Sequence, residues 1–367
     1  MKIAIIGCRG IPNHYGGFEE HAEKIALAFV AKGHRVTVYN VDEHPYKQNE
    51  WKGVDIKHIF CKESKLKILG TFIFDYLCLV DAKKSNFDIV YMLGYVPGAI
   101  FLPIIKKGLT AKLVTNMDGL EWSRSKWNFI LQKFAKKTEQ LGAKYSDYLI
   151  SDNEGIRQYL LNEYKVDSTF IPYGATLIAN SSSTHLKKYN LVEKNYFLLV
   201  ARLEPENNIE IILDGYTKTN TEKIFIVVGN HNTKYGEVLK QKYFADKRIK
   251  FLGGIYNFEE LTSVRWYSDI YFHGHSVGGT NPSLLDIMGA NTYIAAHDNA
   301  FNKNVLGNDC LYFSTPKEVE LIIQKKHDEE IKAMCIKNNR KKLQEFYNWE
   351  NVAQMHIDLF SKLLRLL

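Results

Sequence analysis

The sequence predicts an α/β protein built from two doubly wound parallel-sheet domains. Length is the first reason: 367 residues exceed what one hydrophobic core usually organises, so two domains are expected. The second is an alternation of short apolar runs with helix-period segments through the first half of the chain. The third is that this alternation gives way to a polar stretch after residue 177 and then starts again.

Residues 3–7 form an apolar run that opens the first strand. Across 19–32, Ala22, Ile25, Ala26, Phe29 and Val30 recur at helical spacing, and 35–39 is rich in β-formers, which makes a βαβ unit. Strands follow at 56–60, 88–92, 112–116, 147–151 and 168–171, with helices such as 127–143 and 154–162 between them. Segment 178–184 lacks periodicity and reads as a linker. Beyond it, 196–201, 224–229, 249–252, 270–273 and 293–296 read as strands, and 207–218, 234–243, 258–267 and 282–290 as helices. The expected organisation is a first domain over 1–177, a second over 178–346, and a terminal helix over 347–367. That helix either returns to pack on the first domain or serves as a leucine-rich surface anchor. Two such sheets facing one another would hold a ligand in the cleft at the carboxyl ends of their strands.

Composition narrows the class. Hydrophobic residues at 46% and charged residues at 24% exclude a disordered, collagen-like or disulfide-stapled chain. The five cysteines, Cys8, Cys61, Cys78, Cys310 and Cys335, form no Cys-x-x-Cys pair and read as reduced thiols. The opening residues run straight into a strand with no signal-peptide pattern, so the expected location is cytoplasmic. The longest uncharged stretch, 89–105, is interrupted by Pro97 and Pro103 and reads as a buried strand running into a helix. The net charge of +7 is too mild for a nucleic-acid footprint. Its excess concentrates in 101–150, where nine Lys/Arg face four Asp/Glu. This suits a solvated face, an anionic membrane surface at the inner side of the cell membrane, or a phosphorylated acceptor.

Chemistry-bearing residues gather at strand ends. After the first strand comes Gly7-Cys8-Arg9-Gly10-Ile11-Pro12-Asn13-His14-Tyr15-Gly16-Gly17-Phe18-Glu19. Gly16 and Gly17 before a helix allow close backbone approach to an anion such as a diphosphate, and Arg9 adds a cation. A flexible loop with a tight turn is the plainer reading. Dinucleotide binding, with Asp42 as the ribose acid, is disfavoured because Gly-x-Gly-x-x-Gly is absent.

In the second domain His273-Gly274-His275-Ser276-Val277-Gly278-Gly279-Thr280-Asn281-Pro282-Ser283-Leu284-Leu285-Asp286 is the stronger signal. Asn281 suits an N-cap and Pro282 the first helical position, so Gly278, Gly279 and Thr280 lie at a helix mouth suited to phosphate. Asp286, a turn later, suits a ribose diol; a capped helix with a solvated acid is the bland alternative. Arg202 ends the first strand of this domain, where it can neutralise a departing diphosphate or pair with Glu204 or Glu206. His273, His275 and His297 lack metal-ligand spacing with carboxylates, and no metal site is expected. In the first domain Asp118, Glu121, Trp122, Arg124 and Trp127 crowd the end of a strand, a composition suited to carbohydrate. Trp127 reads equally well as core of the next helix.

Taken together, Tyr15-Gly-Gly-Phe-Glu, Arg202-Leu-Glu-Pro-Glu-Asn-Asn and Gly278-Gly-Thr-Asn-Pro-Ser-Leu-Leu-Asp resemble the family 4 retaining glycosyltransferases of GT-B fold. The Asn116-Met-Asp-Gly-Leu-Glu-Trp segment and the Ala296-His-Asp-Asn segment are similar to those of bacterial capsule and O-antigen rhamnosyltransferases. The resemblance implies a nucleotide-sugar co-substrate, with dTDP-L-rhamnose as donor, no metal or other cofactor, and a glycan or lipid-linked oligosaccharide acceptor. It implies Arg9, Gly16, Gly17, Arg202, His275, Gly278, Gly279, Thr280, Asn281 and Asp286 on the donor. Tyr15, Glu19, Trp122 and Arg124 fall on the acceptor, and Asp118, Glu121 and Arg202 at the reacting centre.

Departures from that family's pattern are specific. Its Glu-x7-Glu pair is Gly278 and Asp286 here, and its Arg-x4-Lys pair is Arg202 and Asn207, leaving Arg9 as a substitute phosphate cation. Its sugar-facing histidine is Met117, whose thioether would suit the methyl group of a 6-deoxy sugar. A nucleotide-sugar epimerase of the same shape, a transferase using another donor such as UDP-glucose, and a non-catalytic sugar binder remain alternatives.

Overall fold

The computed structural model describes residues 1–14, 16–123 and 127–365. Tyr15 and Arg124, both expected on the acceptor, lie outside the described residues. The chain divides into two compact units, one comprising 1–174 with 349–367 and the other 175–348.

In the first unit the elements run β1 (Lys2–Ile6), α1 (Gly17–Ala31), β2 (Arg35–Val41), β3 (Glu50–Trp51), β4 (Val54–Ile59), α2 (Glu63–Leu66), α3 (Ile68–Lys84), β5 (Ile89–Leu93), α4 (Leu102–Ile105), β6 (Lys112–Asn116), α5 (Phe129–Tyr145), β7 (Tyr148–Ser151), α6 (Glu154–Tyr164) and β8 (Thr169–Phe170). The sheet order is β3-β4-β2-β1-β5-β6-β7-β8. All pairs are parallel except the short β3–β4 hairpin, which the sequence pattern did not signal. β1 and β5 are apolar on both faces, the mark of a sheet covered on both sides. The 89–105 stretch becomes β5, a 3₁₀ turn and α4, and most of its apolar residues are buried inside this unit, Val96 and Ile104 being exposed.

The second unit runs β9 (Tyr196–Val200), α7 (Ile209–Tyr216), β10 (Ile224–Val228), α8 (Lys234–Lys242), β11 (Ile249–Gly253), α9 (Phe258–Trp266), β12 (Ile270–His273), α10 (Pro282–Met288), β13 (Tyr293–His297), α11 (Ala300–Leu306), β14 (Leu311–Phe313), α12 (Pro316–Gln324) and α13 (Glu329–Glu345). Its strands are ordered β11-β10-β9-β12-β13-β14, all parallel. The segment expected to be a linker is seated on α9 instead: Tyr267 Oη donates to the Ser181 carbonyl (2.7 Å) and Ser263 Oγ to that of Ser182 (2.8 Å). Polar, aperiodic sequence is equally suited to a strap whose carbonyls are taken up by a neighbouring helix.

The last helix, α14 (Trp349–Arg365), belongs to the first unit, where Val352, Ala353, His356, Phe360 and Leu363 join the core formed by α1, β1, β2 and β5. Its buried polar member is His356. The Val352 carbonyl can only accept, so His356 Nδ1 donates to it (2.7 Å) and Nε2 faces the Tyr91 hydroxyl (3.0 Å). His21 Nε2 approaches the same hydroxyl at 3.3 Å, which links α1, β5 and α14 in one buried chain. Burial holds His356 down to about 4, and burial with the neighbouring His356 lowers His21 as well. All five cysteines are free and buried. No helix among the described residues is long and apolar enough to cross a membrane.

Candidate functional site

In the second sheet β9 and β12 are neighbours in space but not in sequence, so their outgoing connections diverge and leave a crevice at their carboxyl ends. Arg202 lies two residues beyond β9, and the segment from Gly274 to Asn281 leads from β12 into α10. Asn281 caps α10, its side chain accepting from the Ser283 amide at 2.9 Å, with Pro282 in the first turn. Gly278 has φ of 103°, open to glycine but strained for other residues, and it turns the chain into the helix mouth beside Gly279 and the buried Thr280.

A polar knot fixes this edge. Asn207 Nδ2 donates to the Arg202 carbonyl (2.7 Å), which orients the amide so that its Oδ1 accepts from His275 Nδ1 (3.0 Å). With the proton on Nδ1, the ring's acceptor lone pair is on Nε2. Asn208 Nδ2 donates to the Gly274 carbonyl (2.7 Å), and Ser276 gives both its amide and its hydroxyl to the Glu206 carbonyl. Asn299 and Asn302 each donate to the His275 carbonyl at 3.1 Å, tying in the loop after β13. The packing leaves no room for side chains: a Cβ on Gly274 would sit 1.9 Å from the Asn207 carbonyl oxygen. Asn207, in the place of the resembled family's lysine, thus supplies two hydrogen bonds that set Arg202 and His275. In the sequence alone it is visible only as a missing charge.

The Arg202 guanidinium is exposed, and none of the ion pairs among the described residues includes it; the expected alternative of a salt bridge to Glu204 or Glu206 is not formed. Asp286 is held by Arg265 of α9 (2.9 Å), a nearly buried arginine that sequence reasoning missed. Its only sequence signal was a cation on an otherwise apolar-facing turn. The pairing fixes one carboxylate oxygen of the half-exposed Asp286 at the second turn of α10. His273 is buried and pushed down to about 3 by burial and by His275 and His297, so it is a neutral structural ring. Among the described residues no three His, Cys, Asp or Glu side chains gather as a metal would need.

The first unit revises several expectations. Arg9 pairs with Glu63 (3.1 Å) and the buried Asp75 (3.2 Å) and stacks over Phe74, so its charge is already balanced by two carboxylates and is not a spare phosphate cation. Gly16 is the N-cap of α1 with φ of 116°, but Glu19 and Glu20 occupy the first turn. Glu19 Oε1 accepts from the Arg9 amide (2.8 Å), and its other oxygen lies 2.1 Å from where a Gly16 Cβ would stand. The Gly16-Gly17 turn therefore makes room for a carboxylate of the chain itself, and that carboxylate disfavours a diphosphate there.

Met117 is buried, its sulfur 3.6 Å from the position a Cβ on Gly142 would take, so the thioether packs on α5 and is not free to line a sugar pocket. Asp118 is half-buried. Tyr95 Oη accepts from the Glu121 amide (3.0 Å) and lies 3.1 Å from the fully buried Glu139, which also accepts from Tyr159 and Tyr164 (2.6 Å each) and pairs with Lys136. This buried carboxylate props the 118–123 loop. Trp122 lies against Lys136 (4.8 Å) and Tyr159, so one ring face is already occupied. Trp127 precedes the Asn128 cap of α5 and is outside that helix.

Residues 181–342 match the family described as "Glycosyl transferases group 1", and residues 1–176 match the family described as "Domain of unknown function (DUF1972)". This match lies on the unit that carries the Arg202–Asp286 edge, and the chain has the GT-B fold. Sucrose-phosphate synthase from Thermosynechococcus elongatus superposes with a TM-score of 0.85 at 16% identity, covering 100% of each chain. A glycosyltransferase from Rickettsia africae gives 0.73 at 13% identity over 99% of this chain and 98% of its own. HepE from Anabaena in complex with UDP-glucose gives 0.75 at 13% identity over 99% and 100%. At these identities the likeness is one of fold. No curated protein matches the sequence.

Proposed function

We propose that this protein is a glycosyltransferase that moves L-rhamnose from dTDP-L-rhamnose, with retention, onto a saccharide acceptor carried on a lipid in bacterial capsule or surface-polysaccharide synthesis. The observation that carries the donor assignment to the second unit is the Asn207-centred knot. It presents an exposed, unpaired guanidinium beside the capped mouth of α10, an arrangement suited to a nucleoside diphosphate.

In this reading Arg202 takes the charge that develops on the diphosphate as the sugar C1–oxygen bond breaks. The Gly278–Asn281 backbone lies along the phosphates. Asp286, its other oxygen steadied by Arg265, accepts from the ribose hydroxyls, and His275 Nε2 accepts from a donor-sugar hydroxyl. The acceptor oxygen bonds to C1 on the face the phosphate leaves, and its proton passes to the departing phosphate oxygen, so no protein nucleophile is needed. Asp118 and Glu121 order the acceptor hydroxyl.

Rhamnose rests on the resemblance of the Asn116–Trp122 and Ala296–Asn299 segments, because the buried Met117 removes the thioether argument. A UDP-glucose donor is the second reading, that sugar nucleotide being the ligand of the HepE structure of like fold. Thermal shift with nucleotides and nucleotide sugars, followed by product analysis, tests the assignment, since a ligand of the folded state raises Tm by mass action. A shift with dTDP and transfer from its rhamnose conjugate supports it. Transfer from UDP-glucose alone, isomerised donor, or binding without turnover would each replace it with the corresponding alternative.

A further inference from the structure

The second unit holds a cavity that none of the chemistry above uses. The strands of its sheet are all parallel, so their amino ends open on the side away from the crevice beside Arg202. Lys194 lies two residues before β9, Lys223 immediately before β10, Asp269 immediately before β12 and Asn291 two residues before β13. All four line one cavity of about 840 Å³, and α13 forms its opposite wall. Ala333, Lys337, Arg340, Lys341 and Gln344 recur along one face of that helix at helical spacing and complete the lining. A strand such as β9, five residues long, separates this cavity from the crevice by about 15 Å.

Six cations, Lys194, Lys223, Lys332, Lys337, Arg340 and Lys341, face two carboxylates in this lining, and both carboxylates are already engaged. Asp269 is shared by Lys223 (2.7 Å) and Lys332 (3.0 Å), and Glu329 also pairs with Lys332 (3.2 Å). The remaining four cations find no carboxylate of the cavity. Lys194 Nζ donates to the carbonyls of Trp266 (3.1 Å), Ser268 (3.0 Å) and Asn291 (2.6 Å). Arg340 lies over the Trp266 ring at 5.1 Å and donates to the carbonyls of Gly289 and Ile178, which leaves part of its five-donor fork for a ligand. Lys337 joins no ion pair among the described residues, and Lys341 meets Glu345 only at 3.9 Å. Desolvation lowers Lys194 to about 8 and lowers Arg340 too, so an added negative charge would favour both cationic forms. The cavity is large for inorganic phosphate and falls in the size range of small-molecule sites, with Leu177, Tyr293 and Ile336 as an apolar wall for a ligand body. A phosphate ester supplies two negative charges and several acceptor oxygens to a guanidinium fork and adjacent ammonium groups. We propose that the cavity between the amino ends of the second sheet and α13 binds a small phosphorylated molecule at a site separate from the donor crevice. This inference does not depend on the donor assignment.

The test is titration calorimetry of the full chain with ribose 5-phosphate, fructose 1,6-bisphosphate and inorganic phosphate, each to about 10 mM. At least one sugar phosphate should bind at least about tenfold tighter than inorganic phosphate, and more weakly as salt is added. Lys337→Glu/Lys341→Glu should weaken that binding about tenfold or more while leaving the ligand-free Tm unchanged, because both side chains are exposed and the contact to Glu345 is a surface pair. Arg202→Ala should leave the binding intact, since Arg202 lies at the opposite ends of the strands. The proposal is overturned if neither sugar phosphate binds, if inorganic phosphate binds as tightly as both, or if the lysine variant binds them as well as the native chain. It is also overturned if Arg202→Ala abolishes the binding, which would put the probe in the donor crevice.

Discussion

Acid should loosen the docking of α14 by an amount that the buried His356 sets. Its imidazole is neutral in the folded unit, with the folded value near 4 against about 6.5 for an exposed histidine. The unfolded chain therefore binds the proton more readily. The stability this histidine contributes is complete above about pH 6.5 and is lost as the pH falls toward 4. Between neutrality and about pH 5 the loss works out at about 2 kcal/mol, and the whole interval is worth about 3 kcal/mol. A proton on Nε2 would also face the Tyr91 hydroxyl, which His21 already approaches, so the chain of hydrogen bonds must reverse. The assay is urea unfolding of the native chain and of His356→Gln at about pH 7.5 and 5, read by hydrogen exchange in β5 and α14 to isolate this unit. The variant should start out less stable, yet lose about 2 kcal/mol less on acidification. Equal losses in the two proteins would refute the reasoning.

Other outcomes follow from the second unit. Arg202→Ala should lower kcat/KM for transfer by about a hundredfold or more with little change in Tm, since the exposed guanidinium holds nothing else; steady-state kinetics with the productive donor measures this. Asn207→Ala should weaken both activity and stability, the latter by about 1–3 kcal/mol, because it orphans the Arg202 carbonyl and the His275 ring together; denaturant melts and kinetics read the two effects separately. Arg265→Leu should raise KM for the donor more than it lowers kcat, by freeing the Asp286 carboxylate from its fixed rotamer. Gly274→Ala should fail to accumulate as folded protein, because its Cβ would overlap the Asn207 carbonyl; soluble yield and circular dichroism report it.

Much of this architecture was legible because its signals are local. Apolar runs bounded by turn residues marked β1, β5, β6 and the first five strands of the second sheet, and the doubly wound class followed. The Asn281 cap and Pro282 at the head of α10 were readable because both act within four residues. β3 and β14 escaped, being only two and three residues long.

The site was legible in outline only. Arg202 and Asp286 were singled out as residue types at strand and helix ends, but their partners were not visible. Arg265 lies on another helix, Asn207 and His275 are 68 positions apart, and His356 reaches Tyr91 across 265. Arg9 shows the converse: next to glycines it read as a phosphate ligand, and folding brought Asp75 and Glu63 to neutralise it. Periodicity, capping and turn chemistry are properties of neighbours along the chain, so the sequence by itself determined the elements and the fold class. Which charges meet, which rings are covered and which lysines stay unpaired depend on how helices settle against their sheet. Only the tertiary structure decided those.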